Sequence, residues 1–183
     1  LQRSRSLLSH GRQIWRDLLE IEDIVKPMDV VKYMKSLYHA VNAVAELSGP
    51  PLHERRLLLE FPSRAEAAQR PGMTAGLYGL LGSSNLDAAM ITAWLPEWKS
   101  AFEAATESSR VDLRIHPARI NYYEKSIQAM LSGDNPRAAL WSLLQTWTLA
   151  AEVLPDNALD AWRSACGQLG LNTIGIEEHV NGL

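Results

Sequence analysis

Residues 32–66 hold the densest set of side chains able to recognise a polar ligand. Lys35, His39, Asn42 and Glu46 recur at steps of four, three and four, which places them in one row along a helix. An ammonium, an imidazole, an amide and a carboxylate in such a row suit the hydroxyl or amine groups of a small substrate. After the break at Pro50-Pro51, a short stretch gathers His53, Glu54, Arg55, Arg56, Glu60 and Arg64. Arginine forks match phosphates and carboxylates, so this cluster reads as an anion-recognition candidate. The same spacing also allows the pairs Arg56 to Glu60 and Glu60 to Arg64 on a solvated helix surface, worth only a few tenths of a kcal/mol each. The substrate-binding candidates are therefore Lys35, His39, Asn42, Arg55, Arg56 and Glu60.

No catalytic set accompanies them. His10, His39, His53, His116 and His179 are scattered, none at the spacing of a metal motif, so no metal site is expected. Arg5 to His10 and Arg110 to His116 fit a loose arginine–histidine spacing used by some helical ribonucleases, which would require the two residues to meet across a symmetric dimer cleft. Gly79-Leu80-Leu81-Gly82 lacks the glycine pattern and the following Lys-Ser/Thr of a phosphate loop. Trp94 and Trp98 flank Pro96 and are read either as core or as a stacking wall for a ring. One of Tyr122 and Tyr123 must turn away from the core, and Cys166, at an apolar helix position, reads as packing.

The elements that must position these groups are helical. Val30, Val31, Met34, Leu37, Tyr38, Val41, Val44 and Ala45 form one apolar stripe, so a helix is expected from about Met28 to Leu47, opened by Pro27 and ended by Ser48-Gly49-Pro50-Pro51. Upstream, Leu7, Leu8, Ile14, Trp15, Leu18, Leu19 and Ile21 predict another helix. Its arginines (Arg3, Arg5, Arg12, Arg16) come early and its acids (Glu20, Glu22, Asp23) late, against the helix dipole. Those arginines read as a solvated face or as one that meets an acidic or phosphate-bearing partner.

Between Leu52 and Gly82, short helical stretches (His53 to Phe61, Arg64 to Gln69, Thr74 to Leu81) are separated by Pro62 and Pro71-Gly72, and Gly76 and Gly79 suggest close helix approach. Asn85 is the expected cap of the next helix, with a kink or restart at Pro96. Residues 108–116 read as a loop. Pro117 opens a helix through Ile120, Tyr123, Ile127 and Leu131; Ser132-Gly133-Asp134-Asn135-Pro136 turns the chain back, and 137–154, apolar nearly all round, is the expected central helix. A last helix follows Pro155-Asp156-Asn157 and stops at Gly170. No run has strand periodicity, so the fold class is all-α, an up-down antiparallel helical bundle with short additional helices.

Composition sets the class. A chain of 183 residues with 46% hydrophobic content closes one core, so residues 1–183 read as a single soluble domain. A net charge of -3 gives no overall field for nucleic-acid phosphates. Ser142, Gln145, Thr146 and Thr148 interrupt the longest apolar run, so no membrane span is expected. The opening LQRSRSLLSHGR lacks a signal peptide's apolar core. With one cysteine there is no internal disulfide and no paired-thiolate zinc site, which suits a cytoplasmic location. A chain opening on Leu is also compatible with being the C-terminal part of a longer, two-domain polypeptide.

Three stretches together, SLYHAVNAVAELSGPP, ERRLLLEFP and ARINYYEKSIQAMLSGDNPRAALWSLLQTWTLA, resemble the C-terminal helical domain of bacterial nucleotidyltransferases of the kanamycin-nucleotidyltransferase and minimal-nucleotidyltransferase kind. The likeness covers about two thirds of the chain and rests on a long helix with a small-residue core, a Pro break and a helical hairpin. It implies an accessory, substrate-binding half with an N-terminal nucleotidyltransferase domain as its partner, in cis or in trans. Substrate would lie between the two, with the polar row and the arginine cluster facing that cleft. The family's Gly-Ser and Asp-x-Asp are not here: Gly82-Ser83-Ser84 leads only to Leu86-Asp87-Ala88. Two metal-bridging carboxylates are what position a nucleoside triphosphate, so Mg and the triphosphate are expected only with the catalytic domain and no cofactor is expected on this chain alone. The alternative is a stand-alone helical interaction module, such as a homodimer, without enzymatic activity. The two differ in whether Lys35, His39, Asn42, Arg55 and Arg56 converge on one pocket or point apart beside an apolar patch.

Overall fold

The computed structural model describes residues 2–18 and 25–171. Glu20, Glu22, Asp23 and His179, considered above, lie outside the described residues, as do Leu19 and Ile21. The described residues form eight α-helices and no strand: α1 (Gln2–Leu18), α2 (Pro27–Ala45), α3 (Leu57–Ala67), α4 (Gly72–Leu80), α5 (Ala88–Ala105), α6 (Ile120–Leu131), α7 (Ala139–Ala151) and α8 (Asp160–Gln168). Short 3-10 turns precede α3, α6, α7 and α8. The chain is all-α, and no described helix is long and apolar enough to cross a membrane.

Helix α7 is the centre, as its all-round apolar pattern predicts. It packs against α2, α5 and α6, and Leu140, Trp141, Leu143, Leu144, Trp147 and Ala150 are all buried. Its polar interruptions have a purpose that periodicity does not reveal. Thr146 Oγ1 accepts the indole N–H of Trp98 at 2.9 Å, and Thr148 Oγ1 accepts that of Trp162 at 3.0 Å. Each bond lets a tryptophan be fully buried without stranding its donor. Trp94 and Trp98 are both core residues, so they do not form a wall for a ligand.

Two helices run through prolines, one of them Pro62, where a break was expected. At Pro62, inside α3, the missing N–H leaves the Leu58 carbonyl without its intrahelical donor. Asn135, from the turn before α7, donates Nδ2–H to that carbonyl at 3.4 Å and also to Tyr78 Oη at 2.9 Å. A long-range side chain thus replaces the backbone donor and holds α3 to the hairpin turn. Pro96 likewise lies inside the continuous α5. The cap of α5 is Asp87 rather than Asn85: its carboxylate accepts the Met90 N–H at 2.8 Å.

Helix α2 begins one residue earlier than the stripe suggests, with Pro27 in its first turn and the Asp29 carboxylate accepting the Lys26 N–H at 2.9 Å. Helix α1 lies against it in close contact. A Cβ at Gly11 would sit 3.2 Å from the Ser36 carbonyl oxygen and 3.3 Å from His39 Cβ, so a larger residue would push the two helices apart by a few tenths of an ångström. Gly82 is another constrained glycine. It has φ +63° and abuts the Leu169 carbonyl, which lets the end of α4 meet the end of α8.

Candidate functional site

The polar row of α2 is divided by the fold. At its N-terminal half, Lys35 and His39 line a cavity of about 280 Å³ with Val31, Met34 and Tyr38 of the same helix. Glu54 closes one side, Arg114 of the loop before α6 another, and Trp141, Gln145, Thr148 and Leu149 of α7 form the floor. In the C-terminal half, Asn42 is 1% exposed and faces the Pro-Pro turn. Its Oδ1 accepts the Leu52 N–H at 2.6 Å, while Nδ2 donates to the Tyr38 carbonyl at 3.2 Å and the Leu52 carbonyl at 3.5 Å. Asn42 is therefore a strap between α2 and the turn rather than a ligand contact. Arg3 Nε of α1 approaches Glu46 Oε1 at 3.1 Å, an ion pair without the alignment of a hydrogen bond.

The arginine cluster does not converge on the cavity either. Arg55 stacks over the Tyr122 ring at 4.7 Å, and Arg56 Nε pairs with Glu60 Oε1 at 2.8 Å across one helical turn, the surface pairing that the spacing allows. Both arginines border an open groove with Leu59, Met130 and Asn135 on another face. Arg64 folds back on the turn and donates to the Pro50 carbonyl. Arg55, Arg56 and Glu60 thus lie apart from the α2–α7 cavity, because successive residues of a 3-10 turn and a helix project in different directions.

Arg114, Glu54, Trp141 and Gln145 take their places. Arg114 binds Asp112 through Nε at 2.9 Å and Nη2 at 3.0 Å, and reaches Glu54 through Nη1 at 3.0 Å. This fork fixes the loop to the turn before α3 and forms one rim of the cavity. Hydrogen bonding to Arg114 holds the Asp112 carboxyl below the usual range. Glu54 stood in the sequence cluster without being singled out. Trp141 and Gln145 carried no signal beyond core periodicity, and Arg114 none beyond its place in a loop.

His39 and Trp141 carry unsatisfied polar atoms, as does Ser142 beside Trp141 on α7. Both His39 ring nitrogens and Trp141 Nε1 are buried with no hydrogen-bond partner among the described residues. Burial, then His10 and Lys35, hold the His39 pKa below its ordinary value, so the imidazole is neutral at pH 7. The His10 ring meets it edge-on at 4.7 Å. His116 instead caps a turn, its Nδ1 accepting the Ala118 N–H at 3.2 Å. Cys166 is buried, which pushes its thiol up to about 12 and makes it a packing residue. No three of the described His, Cys, Asp and Glu residues cluster as metal ligands. Compared with protein families, curated proteins and solved structures, the chain has no match.

Proposed function

We propose that this chain is a small-molecule-binding helical domain, serving as the accessory half of a nucleotidyltransferase. In this reading it holds an acceptor whose hydroxyl receives a nucleotidyl group, while an N-terminal catalytic domain, in cis or in trans, supplies Mg and the nucleoside triphosphate. One observation carries the binding role: the cavity where Lys35 and His39 of α2 face Trp141 and Gln145 of α7. Ligand pockets combine apolar walls with a few convergent polar groups, and this one does so at the lower end of their usual volume. A space of about 280 Å³ is too small for a nucleoside triphosphate, which accords with leaving that substrate to the other domain. The nucleotidyltransferase assignment itself is supported by the resemblance of the quoted stretches. The test is to read the gene upstream of Leu1. A segment carrying Gly-Ser and Asp-x-Asp supports the assignment, and an upstream frame without it, and with no separate partner domain that co-purifies, removes it.

A second reading, the homodimeric interaction module, has its own observation. Helix α4 and its end, GMTAGLYGLLG, carry no charged residue, yet within α4 only Leu77 is buried. Gly72, Gly76 and Gly79 share one face with open space beyond it, beside an apolar groove of about 250 Å³ lined by Leu37, Val41, Phe61, Met73 and Leu80. The surface that fits an uncharged, glycine-faced helix is another such helix, so the partner in this reading is a second copy of the chain, α4 against α4. Sedimentation of the parent and of Gly76→Glu decides it: a dimer that the substitution dissociates supports the reading, and a monomeric parent ends it.

A further inference from the structure

We infer that the α2–α7 cavity takes a compact monocarboxylate with a flat apolar body, its acid group held by Lys35. This rests on the proposal that the cavity is a binding site and adds the class of ligand. The walls come first. Tyr38, Trp141, Val31, Met34 and Leu149 present aromatic and aliphatic surface, and a volume of about 280 Å³ accommodates a small aromatic body.

The polar inventory then sets the sign. Of the lining charges, Glu54 is already paired with Arg114, which is in turn held by Asp112. Lys35 has no ion-pair partner among the described residues, so it is the cation left to meet a ligand. Its proximity is one reason that His39 stays neutral. An ammonium without an ionic partner is a donor that an acceptor-only anion completes. One free cation matches the single charge of a carboxylate better than the double charge of a phosphate. Amine ligands are disfavoured, since Glu54 is committed to Arg114.

Calorimetric titration of the full chain with benzoate, benzamide and benzylamine tests this, because the three share a ring and differ in charge. Benzoate should bind most tightly and benzylamine at least about tenfold more weakly, the change expected for losing one charge-assisted bond. Lys35→Met should weaken benzoate by about tenfold and leave benzamide unchanged, with Lys35→Arg restoring most of the loss. Benzamide or benzylamine binding as tightly as benzoate, or benzoate indifferent to Lys35→Met, would overturn the ligand class while leaving the cavity as a binding site. Saturable binding of none of the three would overturn the binding-domain reading itself.

Discussion

Asn42 offers the sharpest separation between a ligand contact and a structural strap. In Asn42→Ala the Leu52 N–H loses the acceptor it holds at 2.6 Å, and Leu52 is 2% exposed, so water does not replace it without opening the turn. Stranding such a donor costs about 1–3 kcal/mol, and the lost amide volume adds a smaller packing term, for a total of about 2–3 kcal/mol. For a domain of this size that is a fall in melting temperature of about 4–12 °C. The Leu52 carbonyl keeps one donor, Tyr38 Oη at 3.1 Å, so Tyr38→Phe alone should cost only about 1 kcal/mol. Together the substitutions leave that carbonyl with neither side chain and should exceed the sum of the single effects by about 0.5–1 kcal/mol. Urea unfolding followed by tryptophan fluorescence measures all three, with the slope unchanged if only stability is altered. An Asn42→Ala protein within about 0.5 kcal/mol of the parent would refute the strap and return Asn42 to the candidate site.

Three further outcomes are expected. Asn135→Ala should destabilise the parent by about 1 kcal/mol but cost less in a Pro62→Ala background, where the backbone again supplies the N–H for Leu58; equal costs in both would refute the replacement-donor account. Thr146→Val should cost about 1–3 kcal/mol by stranding the Trp98 indole N–H, and should cost less when Trp98→Phe has already removed that donor, as a double-mutant cycle in urea would show. Stability should also depend on His39 through pH. Its folded pKa lies below its unfolded value of about 6.5, so the contribution is complete above that pH and is lost as pH falls from there through the folded value. His39→Leu should flatten this decline below about pH 6.5, and an unchanged slope would show that another group titrates.

Much of the fold was legible because its signals are local. The stripe from Val30 to Ala45 and the breakers at 48–51 locate α2 to within two residues of its observed ends, and the all-round apolar pattern of 139–151 identifies the buried centre. The prolines misled for an equally definite reason. Pro62 would end an isolated helix, but Asn135, far along the chain, satisfies the carbonyl that it orphans. Gly76 and Gly79 read as a close-approach surface, yet among the described residues nothing comes within 4 Å of where a Cβ would sit on either.

For the candidate site the division is sharper. Residue types and their 3.6-residue spacing determined that the chain is helical, where most helices stop, and that Lys35, His39, Asn42 and Glu46 share one side of α2. Only the tertiary structure decided what that side meets: α7 and the Arg114 loop beside Lys35 and His39, the Pro-Pro turn over Asn42, and α1 beside Glu46. Periodicity specifies the direction of a side chain relative to its own helix axis. It carries no information about which element arrives opposite, so a ligand-facing residue and a buried strap on the same row look alike until the chain has folded around them.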